Sequence, residues 1–129
     1  MVLTTAGLLA ALMAYVLNRI LLRVAGNRVI VLVVPFVEEL AKTGSAVLLG
    51  SALIATHGLF GVVEAFHDVA ISRKHGLEAG MVSIAGHLVF GLITRSLVGI
   101  PVHWVYAALA TGMVHALWNS IVLRWASDG

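Results

Sequence analysis

Residues 29–55 read VIVLVVPFVEELAKTGSAVLLGSALIA, an apolar run that contains two carboxylates and a lysine. Glu38, Glu39 and Lys42 lie in the middle of this run, and apolar residues flank them on both sides. A helix of about 20 apolar residues spans the hydrocarbon core of a bilayer. The run therefore predicts a membrane-spanning helix that carries charged groups close to the centre of the membrane.

The composition of the whole chain supports a membrane setting. Of its 129 residues 60% are hydrophobic and 11% are charged, and its mean hydropathy is +1.04. Soluble domains carry roughly 25% charged residues, and a chain this small cannot bury so much apolar side chain in one core. The composition excludes a soluble enzyme and a disordered segment. Because the chain has no cysteine, it also excludes a disulfide-stabilised fold and thiolate chemistry.

The apolar runs predict an all-α integral membrane protein, a bundle of about five transmembrane helices that forms one domain over residues 1–129. The runs are continuous rather than alternating, which argues against a β-barrel. Pro35 lacks a backbone N–H and is expected to kink the second helix beside its carboxylates. The five predicted spans are Leu3–Leu22, Val29–Ala55, Gly58–Ser72, Leu77–Val98 and Pro101–Trp125.

The basic residues predict the orientation of this bundle. With five spans, one side of the membrane receives most of the basic residues, and the other side receives Arg95 alone. Because cytoplasmic loops are enriched in Lys and Arg, we expect the N-terminus outside and the C-terminus in the cytoplasm. The scattered basic residues argue against a nucleic-acid partner. The residues on the predicted cytoplasmic side are Arg19, Arg23, Arg28, Arg73, Lys74 and Arg124.

Four predicted helices place an ionisable residue at one depth. Measured from the expected cytoplasmic helix ends at about 1.5 Å per residue, the four residues lie roughly 12–15 Å deep. A charge at the bilayer centre costs roughly 2.5–3.5 kcal/mol even on insertion-based scales. These groups are therefore expected to face one another or a shared polar cavity. The four residues are Glu38, Glu64, His87 and His115.

Helical spacing predicts which side chains of this cluster share a helix face. Glu38 and Lys42 are four residues apart and share a face, where their opposite charges offset each other. Glu39 points about 100° away from Glu38, so only one of the two carboxylates can be central to a site. His115 and Asn119 share a face by the same spacing. His57 lies near a predicted helix end, where a structural role is expected.

The residue types permit three kinds of chemistry. A glutamate held in an apolar site can act as a general base on water, while His and Asn side chains can donate hydrogen bonds to an oxyanion. One Glu and two His from separate helices can also hold a catalytic zinc ion with a position open for water. Either arrangement predicts hydrolysis of a peptide bond inside the membrane. Carboxylates and histidines also line proton and ion pathways, which is the alternative.

Four motifs on four predicted helices resemble the PrsW branch of the CAAX-protease/abortive-infection superfamily of intramembrane proteases. The resemblance covers about residues 30–123, and a glutamate rather than a histidine in the second motif distinguishes this branch from the CAAX-prenyl branch. In order along the chain, the motifs are Glu38-Glu39-x-x-Lys42, Phe60-Gly-x-x-Glu64, His87 and His115-x-x-x-Asn119.

The resemblance implies an intramembrane endopeptidase with a defined set of catalytic residues. Glu38, with Glu39 beside it, would activate the water. Glu64 and His87 would complete the catalytic cluster. His115 with Asn119 would hold the oxyanion or a metal.

The resemblance also bears on cofactors and partners. If a metal is used, we expect zinc bound by Glu64, His87 and His115, and otherwise no cofactor. The expected partners are a transmembrane protein or peptide substrate and the lipid bilayer, and a homo-oligomer is compatible with the sequence. Because the same superfamily includes a non-catalytic subunit, a membrane scaffold is the main alternative, ahead of a proton or ion pathway.

Overall fold

The chain is helical and has no strand over the residues that the structure describes, which confirms the all-α fold. A computed structural model describes residues 1–26, 29–71, 75–99 and 103–127. Arg28, Arg73, Lys74 and Pro101 lie outside the described residues. The helices are α1 (Val2–Ala25), α2 (Val29–Leu32), α3 (Val34–Leu49), α4 (Leu53–Ile71), α5 (Gly76–Val98) and α6 (Trp104–Ser127).

Three of the described helices are long and apolar enough to cross a membrane. They are α1, α5 and the Trp104–Arg124 part of α6, so the chain has the helices of a membrane protein. By this criterion of length and composition, three of the five expected spans are supported. Helix α3 has only 16 residues and carries three charged ones, and α4 contains Glu64 and Asp68 among its 19 residues.

The predicted second span is not one helix. It is interrupted at Val33, between α2 and α3, two residues before the Pro35 that was expected to distort it. Helix α3 then ends at Leu49, because Gly50 adopts a left-handed conformation with φ of 64° and ψ of 33°. Only glycine takes this conformation readily, and it commonly terminates a helix. As a result α4 begins at Leu53, five residues before the predicted Gly58.

Small and polar side chains fill the interior, and large apolar side chains cover the outside. Ala6, Ala10 and Ala14 of α1 are buried at a spacing of four residues, whereas Leu12 and Val16 are exposed. Small residues allow helices to approach closely where lipid already solvates apolar side chains. This distribution is the one expected for a bundle in a bilayer.

Helix α3 occupies the centre of the bundle. It contacts α1, α4 and α6, while α4 and α5 pack along each other as a hairpin. The close approaches of Gly61 to Ile84 and of Gly80 to Ala65 show that α4 and α5 run antiparallel. The charged segment of α3 is consequently surrounded by helices.

The contact between α4 and α5 depends on Gly91. A Cβ atom added there would lie 2.9 Å from the Cβ of His57 and 3.1 Å from the Cα of Ile54, which cannot move without shifting α4. We expect Gly91→Ala to lower the free energy of unfolding by about 1–3 kcal/mol, measured by thermal circular dichroism in detergent. The matched control is Gly44→Ala, whose Cβ would meet only the Trp104 ring at 3.4 Å. Equal stability of the two variants would contradict the prediction.

Candidate functional site

Lys42 lies at the centre of a buried polar cluster. Its Nζ atom is 2.5 Å from Oε1 of Glu39 and 2.8 Å from Nδ1 of His87. The ammonium also lies 4.6 Å from the centroid of the Phe60 ring, a distance at which cation–π attraction operates. All of Lys42 is excluded from solvent. A buried lysine without a partner is very unfavourable, so these contacts account for its position.

Lys42 also determines the tautomer of His87. A lysine ammonium has donors and no acceptor, so Nδ1 of His87 accepts from it and Nε2 carries the ring proton. The Nε2–H group donates to Oε2 of Glu64 over 2.5 Å. The hydroxyl of Ser83, one turn before His87 on α5, donates to the same oxygen over 2.6 Å. Two side chains of α5 therefore hold the Glu64 carboxylate of α4.

Glu39 connects α3 to two further helices. Nδ1 of His115 on α6 lies 3.0 Å from its Oε1 atom, which also accepts from Lys42. Nδ1 of His57 on α4 lies 3.5 Å from Oε2. Both Glu39 and His57 are fully buried, and within the described residues neither that oxygen nor the His57 ring makes a hydrogen bond. Glu39 is thus enclosed by protein.

Glu38 faces the other way, toward α1. Its Oε1 atom accepts a hydrogen bond of 2.8 Å from Nδ2 of Asn18. Its Oε2 atom lies 3.8 Å from Nε2 of His115. If Nδ1 of His115 donates to Glu39, its Nε2 atom is bare, and two acceptors face each other across this gap. Such a gap can take up a proton or a cation.

A cavity of about 660 Å³ lies between α1 and α4, and we call it the α1–α4 cavity. Most of its lining is apolar, for example Leu12 of α1 and Val63 of α4. Glu38 and Glu64 both line it. A single row of contacts leads from one of these carboxylates through the buried cluster to the other. Its members are, in order, Glu38, His115, Glu39, Lys42, His87 and Glu64.

Aromatic rings hold the two imidazoles in place. Phe90 stacks on His115 with 4.4 Å between ring centroids and meets His87 edge-on at 5.7 Å. The two imidazole rings are perpendicular, with centroids 5.2 Å apart. Apolar packing therefore fixes the orientation of both rings beside the carboxylates.

One group of side chains in this cluster could hold a metal ion. Glu38, His87 and His115 each offer a ligand atom, and these atoms lie within 4.8 Å of one another. The group contains Glu38, whereas the sequence predicts Glu64 as the carboxylate ligand. Glu64 is not in this group, although its Oε2 atom lies 2.5 Å from Nε2 of His87.

The present arrangement does not fit a zinc ion. Imidazole and carboxylate are suitable zinc ligands by type, but both ring nitrogens of His87 already have partners. One of these partners is the Lys42 ammonium, which would repel a dication. A metal would have to displace either Lys42 or Glu64 from the ring.

We expect the purified protein to contain far less than one zinc ion per chain. Elemental mass spectrometry of protein purified without chelator would measure this. The comparison variants are His87→Ala and His115→Ala, each checked for its helical content. About one zinc ion per chain in the wild type, lost in both variants, would contradict the prediction and identify a metal site.

Asn119, the remaining predicted site residue, and two further polar residues lie outside the cluster. Asn119 is half-buried one turn after His115, but within the described residues no hydrogen bond joins it to the cluster. Arg95 is exposed, as expected for an interfacial position. His67 is also exposed and lines the α1–α4 cavity.

Three residues of the site were not predicted from the sequence. Asn18 and Ser83 each donate to a carboxylate of the cavity, and His57 lies against Glu39. Asn18 could have been identified as a polar side chain within an apolar run. The neighbouring Arg19 obscured this pattern, because a basic residue at that position indicates the end of a membrane-spanning helix.

Comparison with known proteins adds no further information about this site. No protein-family model matches the chain. No curated protein and no solved structure matches it either.

Proposed function

We propose that the chain is an intramembrane endopeptidase that hydrolyses a peptide bond in or near a membrane segment. The observation that carries the proposal is the convergence of Glu38 and Glu64 on one cavity, with the His115 ring directly behind Glu38. Carboxylates at such a position are costly in a membrane and are typical of functional sites. The resemblance to PrsW-like proteases assigns the same residues to catalysis.

Glu38 is the proposed general base. It takes a proton from a water molecule in the cavity while the water oxygen attacks the peptide carbonyl. The proton then passes to the leaving amine, so that Glu38 ends the cycle as a carboxylate. Asn18 keeps one carboxylate oxygen in place through its 2.8 Å hydrogen bond, which leaves Oε2 for the water.

His115 is the proposed donor to the oxyanion. Glu39 accepts from its Nδ1 atom, and a proton on Nε2 would then point toward Oε2 of Glu38. An adjacent carboxylate stabilises an imidazolium and fixes its orientation, as in other carboxylate–histidine pairs. In this proposal Glu39 positions His115, and Glu38 alone activates the water. Asn119 remains a proposed second donor.

The proposal includes a membrane topology. We propose that α1, α3, α4, α5 and α6 all cross the bilayer, with the N-terminus outside and the C-terminus in the cytoplasm. Helices α3 and α4 tolerate charged residues because their charges face the interior of the bundle. The substrate is a membrane protein or peptide, and the lipid bilayer is the surrounding partner.

Comparison of new protein N-termini in membranes tests the proposal. Membranes containing the wild type or Glu38→Gln would be incubated, and new N-termini would be labelled and sequenced by mass spectrometry. We expect a set of termini within or beside membrane segments that is present with the wild type and absent with Glu38→Gln. The control is Glu78→Gln, which removes an exposed carboxylate and should leave the set unchanged. Identical sets from wild type and Glu38→Gln would refute the mechanism.

A non-catalytic scaffold is the second candidate, and the enclosure of Glu39, Lys42 and His57 favours it. These three side chains are fully buried and connect helices rather than face the cavity. A scaffold predicts that Glu38→Gln leaves all N-termini unchanged while substitutions in the cluster weaken binding of a partner protein. A proton or ion pathway is the third candidate and predicts pH-dependent flux into vesicles containing the protein.

A further inference from the structure

We propose that the α1–α4 cavity binds an apolar molecule that carries a primary ammonium group, with the ammonium at Glu38 and Glu64 and the apolar body against the cavity walls. The ligand class is a long-chain alkylammonium. This inference goes beyond the proposed hydrolysis, because it concerns binding alone and applies to a scaffold as well as to an enzyme.

The first argument concerns charge. The row of polar contacts contains three glutamates and one lysine, and that lysine pairs with Glu39. In the part of the chain that the structure describes, the ion-pair contact of Glu38 is the His115 ring, and that of Glu64 is the His87 ring. Neither carboxylate has a lysine or arginine partner there. A buried carboxylate is stabilised by a nearby positive charge, and a cationic ligand supplies one.

The second argument concerns the oxygen atoms that remain free. Oε2 of Glu64 accepts from Ser83 and His87, and Oε1 of Glu38 accepts from Asn18. The other oxygen of each carboxylate accepts no hydrogen bond from a described residue, and neither of them is a fully enclosed atom. The Glu64 side chain is 35% exposed. Each carboxylate therefore keeps one accessible oxygen, and a primary ammonium has three N–H donors to offer.

The two carboxylates lie close to each other. Oε2 of Glu64 is 2.5 Å from Nε2 of His87, and an oxygen of Glu38 lies within 4.8 Å of a nitrogen of the same ring. Both carboxylates also line the α1–α4 cavity. One ligand in the cavity can therefore be attracted by both of them.

The third argument concerns the apolar walls. The cavity volume of about 660 Å³ falls within the roughly 300–1,000 Å³ of small-molecule sites, which are mostly apolar with a few polar groups. Leu8 and Leu12 line the cavity and are also exposed on the surface of α1, where a bilayer presents lipid rather than water. Phe60 and Val63 line it from α4. A ligand with an apolar body can therefore enter from the lipid.

These features disfavour the other occupants that a membrane offers. A fatty acid or an anionic headgroup is repelled by the two carboxylates. Inorganic cations such as Ca²⁺ bind about six to eight oxygen atoms, whereas the cavity walls are mostly apolar. A quaternary ammonium has the charge but no N–H donor for the free oxygens.

Arg19 is a cation of the cavity lining and does not replace the ligand. Its side chain is exposed and donates to the Tyr15 hydroxyl over 2.8 Å. Across the described ranges no ion pair joins it to Glu38 or Glu64. The two carboxylates thus remain available to an ammonium group.

Photoaffinity labelling in phosphatidylcholine nanodiscs tests this site. The probe is dodecylamine with a diazirine in its chain, and mass spectrometry identifies the labelled residues. Three competitors share the dodecyl chain: dodecylamine, dodecyltrimethylammonium, which has the charge without N–H donors, and dodecanol, which has no charge. Concentrations are expressed per lipid, because all three molecules partition into the bilayer. The variants are Glu38→Gln and Glu64→Gln, and the matched control is Glu78→Gln, which removes an exposed carboxylate outside the cavity.

We expect saturable labelling of the cavity walls on α1 and α4. Dodecylamine should compete at about tenfold lower concentration than dodecyltrimethylammonium or dodecanol, which is the effect of roughly one charged hydrogen bond. Glu64→Gln should weaken labelling about tenfold, whereas Glu78→Gln should leave it unchanged. If neither cavity variant folds by circular dichroism, the competition series in the wild type decides the question.

Several outcomes would overturn the proposal. Equal competition by the three molecules would indicate a site for apolar chains alone, and labelling outside the cavity walls would place the ligand elsewhere. Displacement by sodium chloride but not by choline chloride at the same ionic strength would identify an inorganic cation site. An unchanged preference for the primary amine in folded Glu38→Gln and Glu64→Gln would refute the role of the carboxylates. None of these measurements involves cleavage, so failure of the proposed endopeptidase leaves the ammonium site intact.

Discussion

Glu38→Gln is expected to lower the rate of substrate cleavage by about 10²–10⁴-fold, the usual contribution of a general base. The glutamine keeps the shape of the side chain and still accepts the hydrogen bond from Asn18. It cannot take a proton from water at neutral pH. We therefore expect the rate to fall while the thermal stability in detergent changes little. The measurement is the initial rate on a substrate found by N-terminal sequencing.

Glu39→Gln provides an informative comparison. Glu39 does not line the cavity, and its carboxylate accepts from Lys42 and His115. We expect this variant to lose stability together with activity, because Lys42 then lacks its ionic partner. Full activity of Glu38→Gln, or an equal loss of stability in both variants, would contradict the distinction between a catalytic and a positioning glutamate.

Lys42→Met is expected to destabilise the bundle by about 3–5 kcal/mol, since it leaves the Glu39 charge buried without its cationic partner. Methionine has a similar length, so the loss of charge rather than of volume dominates. His87 also loses the donor at its Nδ1 atom. Unfolding by SDS titration in mixed micelles would measure the change. Arg95→Met, which removes an exposed cation, should change the free energy of unfolding by less than about 0.5 kcal/mol.

A double variant distinguishes the loss of the Glu39–Lys42 ion pair from the loss of side-chain packing. Glu39→Gln combined with Lys42→Met removes both charges, and we expect it to be more stable than Lys42→Met alone. Residues in contact commonly show coupling energies of about 0.5–3 kcal/mol. If the two single effects simply add, the ion pair does not explain why Lys42 is buried.

The sequence was most informative where a large energetic cost excludes most arrangements of the side chains. Placing Glu38, Glu64, His87 and His115 at one depth required only that charged groups avoid lipid. Errors of a few residues at the helix ends did not affect that argument, and the structure brings these side chains together. The 100° separation of neighbouring helical positions also anticipated that only one of Glu38 and Glu39 faces the cavity.

The sequence was least informative about helix ends and atomic distances. No charge marks the turn between α3 and α4, so the sequence does not indicate the helix end at Gly50, and it predicts His57 near a helix end. In the structure His57 lies within α4, against Glu39. The pairing of Glu64 with His87 also depends on side-chain geometry. Spacing along the chain could therefore not indicate that Glu38 is the carboxylate within ligand distance of both histidines.

The row of polar contacts through the bundle starts at Glu38 and finishes at Glu64, and both line the α1–α4 cavity. A proton that moves along this row therefore returns to the cavity from which it started. Moving one elementary charge through 100 mV involves about 2.3 kcal/mol, whereas a looped route moves no net charge across the bilayer. Proton movement along this row would therefore be insensitive to membrane voltage.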